Sequence, residues 1–159
     1  MSEKKITPQA KETYDTVCRY FDGKNWSYEK KDEELFASLR VKGDDMPITL
    51  NFVVDAERNV LRVTSPMPFK IDMEKVGEFS FALTAVANAI YNGWFIYDIE
   101  KGTLVFRVMA PFMGSSLSEE MVEYLLNVAY STVNNLNDRF HALSKGMITV
   151  EQFLDTMQQ

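Results

Sequence analysis

Between residues 26 and 65 the chain alternates apolar and polar side chains in four successive runs, joined by connections too short for anything but tight reversals. In 48–55, Ile48, Leu50, Phe52 and Val54 fall on one side and Thr49 and Asn51 on the other. The run 35–41 sets Leu35, Ala37, Leu39 and Val41 against Phe36, Ser38 and Arg40. The run 26–31 sets Trp26 and Tyr28 against Ser27 and Glu29, and 60–65 completes the series. A period of two marks a half-buried strand. Gly43-Asp44-Asp45 and Ala56-Glu57-Arg58-Asn59 have turn composition. Parallel strands need a crossover of about a dozen residues or more, so these neighbours pair antiparallel. One-sided alternation places one face on a core and leaves the other wetter.

Helical patterns flank this block. Thr7-Pro8 reads as a cap followed by a first-turn proline. Tyr14, Val17, Cys18 and Phe21 make one apolar stripe, and Asp22-Gly23 stops it. Pro66-Met67-Pro68 is expected to break the fourth strand. Asp72 is expected to cap a second helix ending at Asn92, with a core stripe of Val76, Phe79, Leu83, Val86 and Ile90. Beside it, Ala82, Ala85 and Ala89 form a small-residue stripe that calls for a second cover. Asn92-Gly93 is the stop, with Gly suited to the left-handed position.

A second hairpin follows: strand 94–99, a loop at Glu100-Lys101-Gly102, and a returning strand 103–109. Apolar residues on both faces of 94–99 predict a central strand. The segment 110–116 is a loop carrying Phe112 and Met113. Ser116 and Glu119 read as the capping box of the longest helix, whose stripe is Val122, Leu126, Ala129, Val133, Leu136, Phe140 and Leu143. That stripe fits a cover for the sheet, or pairing with a second copy. Gly146 ends the helix, and Thr149 with Gln152 caps a short last one. The order α-ββββ-α-ββ-α-α is an α+β fold: one domain over 1–159, with an antiparallel sheet of about six strands and helices packed on it.

Chemistry is sparse. There is no glycine-rich phosphate loop and no paired-cysteine metal motif. The one histidine, His141, sits near a helix end without a nucleophile pattern around it. Cys18 lies on an apolar stripe and reads as a core side chain; a lone cysteine also fits a reducing compartment. Glu119 and Glu123 share a helix face and could hold a cation, but carboxylates in the first turns of a helix are stabilising without a ligand. A net charge of −6 without a basic cluster disfavours nucleic acid. No apolar run nears the roughly 20 residues of a membrane span, and the polar start MSEKKITPQAKE has no apolar signal core, so a cytoplasmic protein is expected. Met67 with Phe69, and Phe112 with Met113, are candidate partner contacts or buried loop anchors.

The segment 92–146 resembles the YbjN family of bacterial proteins. The resemblance is carried by Gly93, Phe95, Asp98, Gly102 and Arg107, the last read as ending the returning strand, followed by a loop and the helix opening Ser118-Glu119-Glu120. It implies a type III secretion chaperone-like domain that works as a dimer and binds extended partner segments. Family members carry the label sensory-transduction regulator with no established activity, and no catalytic residue comes with the family. The expected function is therefore a non-enzymatic protein-binding or chaperone-like regulatory module, a homodimer with an unidentified protein partner and no cofactor. The alternative is a small-molecule or metal-binding enzyme domain using Glu119 and Glu123.

Overall fold

The structure, a computed structural model, describes residues 6–157. Helix α1 (Pro8–Gly23) starts where the sequence predicts: the Thr7 hydroxyl accepts the N–H of Ala10 at 3.2 Å. Strands β1 (Glu29–Lys31), β2 (Phe36–Lys42), β3 (Pro47–Asp55) and β4 (Val60–Lys70) form an antiparallel meander. Helix α2 (Val76–Ala89) then leads to the hairpin β5 (Trp94–Asp98) and β6 (Thr103–Pro111). Helices α3 (Glu119–Ser144) and α4 (Val150–Thr156) follow. The six strands lie in the order β1-β2-β3-β4-β6-β5.

The alternation in sequence becomes the two faces of this sheet. Leu39, Leu50, Phe52, Leu61, Val63, Phe106 and Val108 are buried under α1 and α3, while their neighbours in sequence are half-exposed, or exposed at Arg40, on the opposite face. Every residue of the α3 stripe is buried, so that stripe serves as the cover of the sheet. Phe140 is fully buried and meets Phe79 of α2 at 5.9 Å, Phe95 of β5 at 5.1 Å and Phe153 of α4 at 5.1 Å between ring centroids. One side chain of α3 thereby joins three elements. Further along the same helix, Asn134 accepts the N–H of Asp44 and donates to its carboxylate, both at 2.8 Å, which ties the β2–β3 turn to the helix.

Several expectations need correction. The first strand is only Glu29–Lys31, because Trp26 turns back to pack on Tyr20 and Phe21 of α1. Pro66-Met67-Pro68 does not break β4, which runs to Lys70. Beyond Thr64 that strand pairs with β6 alone, and its register slips between Pro66 and Lys70. A singly paired, irregular strand tolerates missing N–H donors that a doubly paired one would not. Strand β5 is at the edge of the sheet, not its centre. Its two-sided apolarity has another cause: Phe95 packs inward on Phe106 and Phe140, while Trp94 faces outward.

Asp72 makes no side-chain cap; a single 3-10 turn, Met73–Lys75, precedes α2. The helix ends at Ala89 with Ile90 extended, so Gly93 is not its terminal residue. Gly93 has φ +92° for a different reason: a Cβ there would lie 2.4 Å from the Phe106 ring and 2.8 Å from the carbonyl oxygen of Arg107. The cap of α3 is Ser118, which accepts the N–H of Met121, and not Ser116. Thr149 and Gln152 do form the reciprocal capping box of α4.

Candidate partner-binding surfaces

The four residues proposed as partner contacts separate by burial. Met67 and Phe112 belong to the core, so they are corrected: Met67 is an inward residue of β4, and Phe112 anchors the loop after β6. Phe112 is fixed further by its backbone N–H, which donates to the carbonyl of Asn59 at 2.8 Å. Phe69 is half-buried and meets the His141 ring edge-on at 5.1 Å, giving that lone histidine a packing partner. Met113 alone stands out, 74% exposed beside Gly114.

The signature residues around the second hairpin hold the chain's geometry. The Asp98 carboxylate accepts the N–H groups of Glu100 and Lys101, each at 3.1 Å, and the Gly102 N–H donates to the Asp98 carbonyl at 2.7 Å. Gly102 supplies φ +65° for this reversal. Phe95 reaches the aromatic cluster at Phe140. Arg107 is not at a strand end; it lies mid-strand, opposite Thr64 on one side and Trp94 on the other.

Glu119 and Glu123 are drawn into the junction of α1 with α3. The Tyr20 hydroxyl donates to Glu123 at 3.0 Å, Lys24 lies 3.7 Å from the same carboxylate, and Arg19 lies 3.8 Å from Glu119. Exposed pairs of this kind contribute little individually, but Tyr20 is buried. Burial and the Glu123 carboxylate push its hydroxyl up to about 12. A group whose folded value is raised gives stability that is complete below its unfolded value, near 10, and lost as pH rises towards 12. Urea midpoints between pH 9 and 12 should fall less steeply in Tyr20→Phe than in the wild type. Equal slopes would mean that burial and the Glu123 carboxylate do not together hold Tyr20 protonated. Among the described residues no group of three or more His, Cys, Asp or Glu side chains has metal-holding geometry.

Sequence reasoning missed one apolar surface. Phe81 on α2 is 70% exposed, and Met73, Tyr91, Trp94 and Ile99 are exposed beside it in sequence. From Phe79 to Tyr97 the chain has no charged side chain at all, in a protein that is 25% charged. The exposed side of α2 carries Glu78 in its first turn, then Ser80, Phe81, Thr84, Ala87 and Asn88. The alanine stripe divides likewise: Ala82 is buried, Ala85 half-buried and Ala89 exposed. The signal available in sequence was this uncharged run, longer than one core stripe requires.

The same arrangement of sheet and helices occurs in known structures. YbjN from E. coli superposes with a TM-score of 0.62 at 12% identity, over 80% of this chain and 90% of that one. The chain has the YbjN fold, which is type III secretion chaperone-like. A chain of the HopA1–SchA chaperone–effector complex gives a TM-score of 0.59 at 13% identity, covering 83% of this chain and 98% of its own. A chain of the ExsC–ExsE complex gives 0.63 at 16%, covering 83% and 96%. At these identities the likeness to YbjN and to the two complexes is one of fold. No protein-family model and no curated sequence matches the chain. No helix among the described residues is long and apolar enough to cross a membrane.

Proposed function

We propose that this YbjN-like chain is a non-enzymatic, chaperone-like protein-binding module that works as a homodimer. The observation that carries the reading is the exposed surface of α2 beyond Glu78 and of the segment leading into β5, which is uncharged from Phe79 to Tyr97. Interface cores are depleted in charge and enriched in aromatic residues. A surface without charge is complementary to itself, which suits a two-fold contact between identical patches. Two of the structural neighbours are described as complexes, one of them a chaperone with its effector, which supports partner binding as the task of the fold. Glu119 and Glu123 act in this reading as the α1–α3 clasp. The cytoplasm is the compartment where the lone Cys18 stays reduced.

Light scattering on the eluted peak tests the dimer. The wild type should have about twice the chain mass of 18.3 kDa. Phe81→Glu with Tyr91→Glu should halve the observed mass while leaving the circular dichroism spectrum intact, since both side chains are exposed. A monomeric wild type, or a variant that stays dimeric, would sink the α2 interface. Partner binding is read separately, by capture from the native host followed by mass spectrometry.

A further inference from the structure

The sheet has a second uncovered surface, its face opposite the helices. On that face Arg107 of β6 lies between Thr64 and Trp94, and Arg62 of β4 is its diagonal neighbour. Both side chains are half-exposed, and they repel each other. Among the described residues no carboxylate comes within 4.0 Å of either guanidinium. The Nε of Arg107 is shut away from solvent and finds no acceptor among those same residues. Glu33, Glu34, Asp55 and Glu57 border the hollow beside Arg62, but Glu34 turns to Lys31 at 3.3 Å and Asp55 to Arg58 at 2.9 Å. In a chain of net charge −6, two adjacent unpaired arginines on a half-apolar face stand against the overall balance.

We propose that this face receives an extended acidic segment of a protein partner, whose carboxylates pair with Arg107 and Arg62. Diagonal neighbours on adjacent strands lie about 7–8 Å apart. Alternate residues of an extended chain lie about 6.6–6.8 Å apart and point to the same side. Acidic residues at i and i+2 therefore match the two arginines, and Arg binds carboxylates in a fork geometry. Trp94, Val53 and Met109 supply apolar contact around the pair. A nucleic acid would bring its phosphates against an acidic protein holding only two cations at this place. The inference rests on the protein-binding reading above and adds the chemistry of what is bound.

The test uses Trp26→Phe protein, in which Trp94 is the sole remaining tryptophan and sits beside Arg107. A blocked ten-residue peptide alternating Glu with Thr is titrated against its emission, with the Gln-for-Glu peptide in parallel. The Glu peptide should bind about tenfold tighter or more than the Gln peptide. Arg107→Gln and Arg62→Gln should each remove most of that advantage, while Lys101→Gln on the β5–β6 loop leaves it intact. If Arg107→Gln fails to fold, Arg62→Gln carries the test. Absent or charge-blind binding overturns the inference, as do Arg variants that bind like the wild type. Tighter binding of a single-stranded oligonucleotide than of the Glu peptide also overturns it. The dimer mass and its loss in Phe81→Glu with Tyr91→Glu are unaffected by any of these outcomes, so failure here leaves the module reading standing.

Discussion

Phe140→Ala is expected to lower the unfolding free energy by about 3–5 kcal/mol, seen as a fall in the urea midpoint. The ring is fully buried and bordered by Phe79, Phe95 and Phe153, which arrive from α2, β5 and α4. Each neighbour is held by its own element, so the void left by truncation cannot close by the shift of one side chain. The aromatic contacts add to the loss from burial alone. Phe69→Ala is the comparison, because Phe69 is half-buried and meets only His141 among the aromatic rings. A Phe140→Ala loss below about 1.5 kcal/mol would be ordinary for any site, and would show that α2 and α4 do not dock on α3 as described.

Gly93→Ala should cost about 2–4 kcal/mol, through two causes that can be separated. The first is conformational: φ +92° is unfavourable for any residue with a Cβ. The second is spatial. The new methyl would meet the Phe106 ring at 2.4 Å and the Arg107 carbonyl oxygen at 2.8 Å. The ring could swing only by leaving the core, and the oxygen only by disturbing β6. Gly114→Ala isolates the first cause, since Gly114 has φ +72° and a methyl there would have nothing within 4 Å. It should cost roughly 1–2 kcal/mol. Equal losses at the two glycines would mean that the close approach at Gly93 is relieved cheaply.

What could be read from the sequence was local or periodic. Strands β2 and β3, the Thr7 cap, the α3 stripe and the Thr149–Gln152 box all depend on residues within a few positions of one another. What could not be read depends on which element comes to lie where. The apolar residues on both faces of β5 fit a central strand and equally an edge strand with one face left open. Prolines at 66 and 68 signal a break only if the strand has partners on both sides, and β4 loses one there. Ser116 has a glutamate three residues on whereas Ser118 has Met121 there, so capping-box spacing points to Ser116, and the backbone at Ser118 is what selects it instead. Met67 and Phe112 look like sticky loop residues until the chain on either side is folded over them. The resemblance across 92–146 anticipated the fold, but it placed Arg107 at a strand end, where its position between Thr64 and Trp94 goes unseen.

The two borders of the sheet are unlike. β1 is three residues long and all charged, Glu29-Lys30-Lys31, whereas β5 ends the other side with Trp94-Phe95-Ile96-Tyr97 and carries charge only at Asp98. Strand pairing between molecules needs two compatible borders, and short charged strands are poor templates. Of the two borders, β5 is therefore the one suited to pairing between copies, and β1 is not. Once two have met, no second apolar border remains to recruit a third. In the proposed homodimer, a contact at β5 would terminate itself, and the chain would keep its uncharged surface without the open-ended growth that a sheet with matching ends invites.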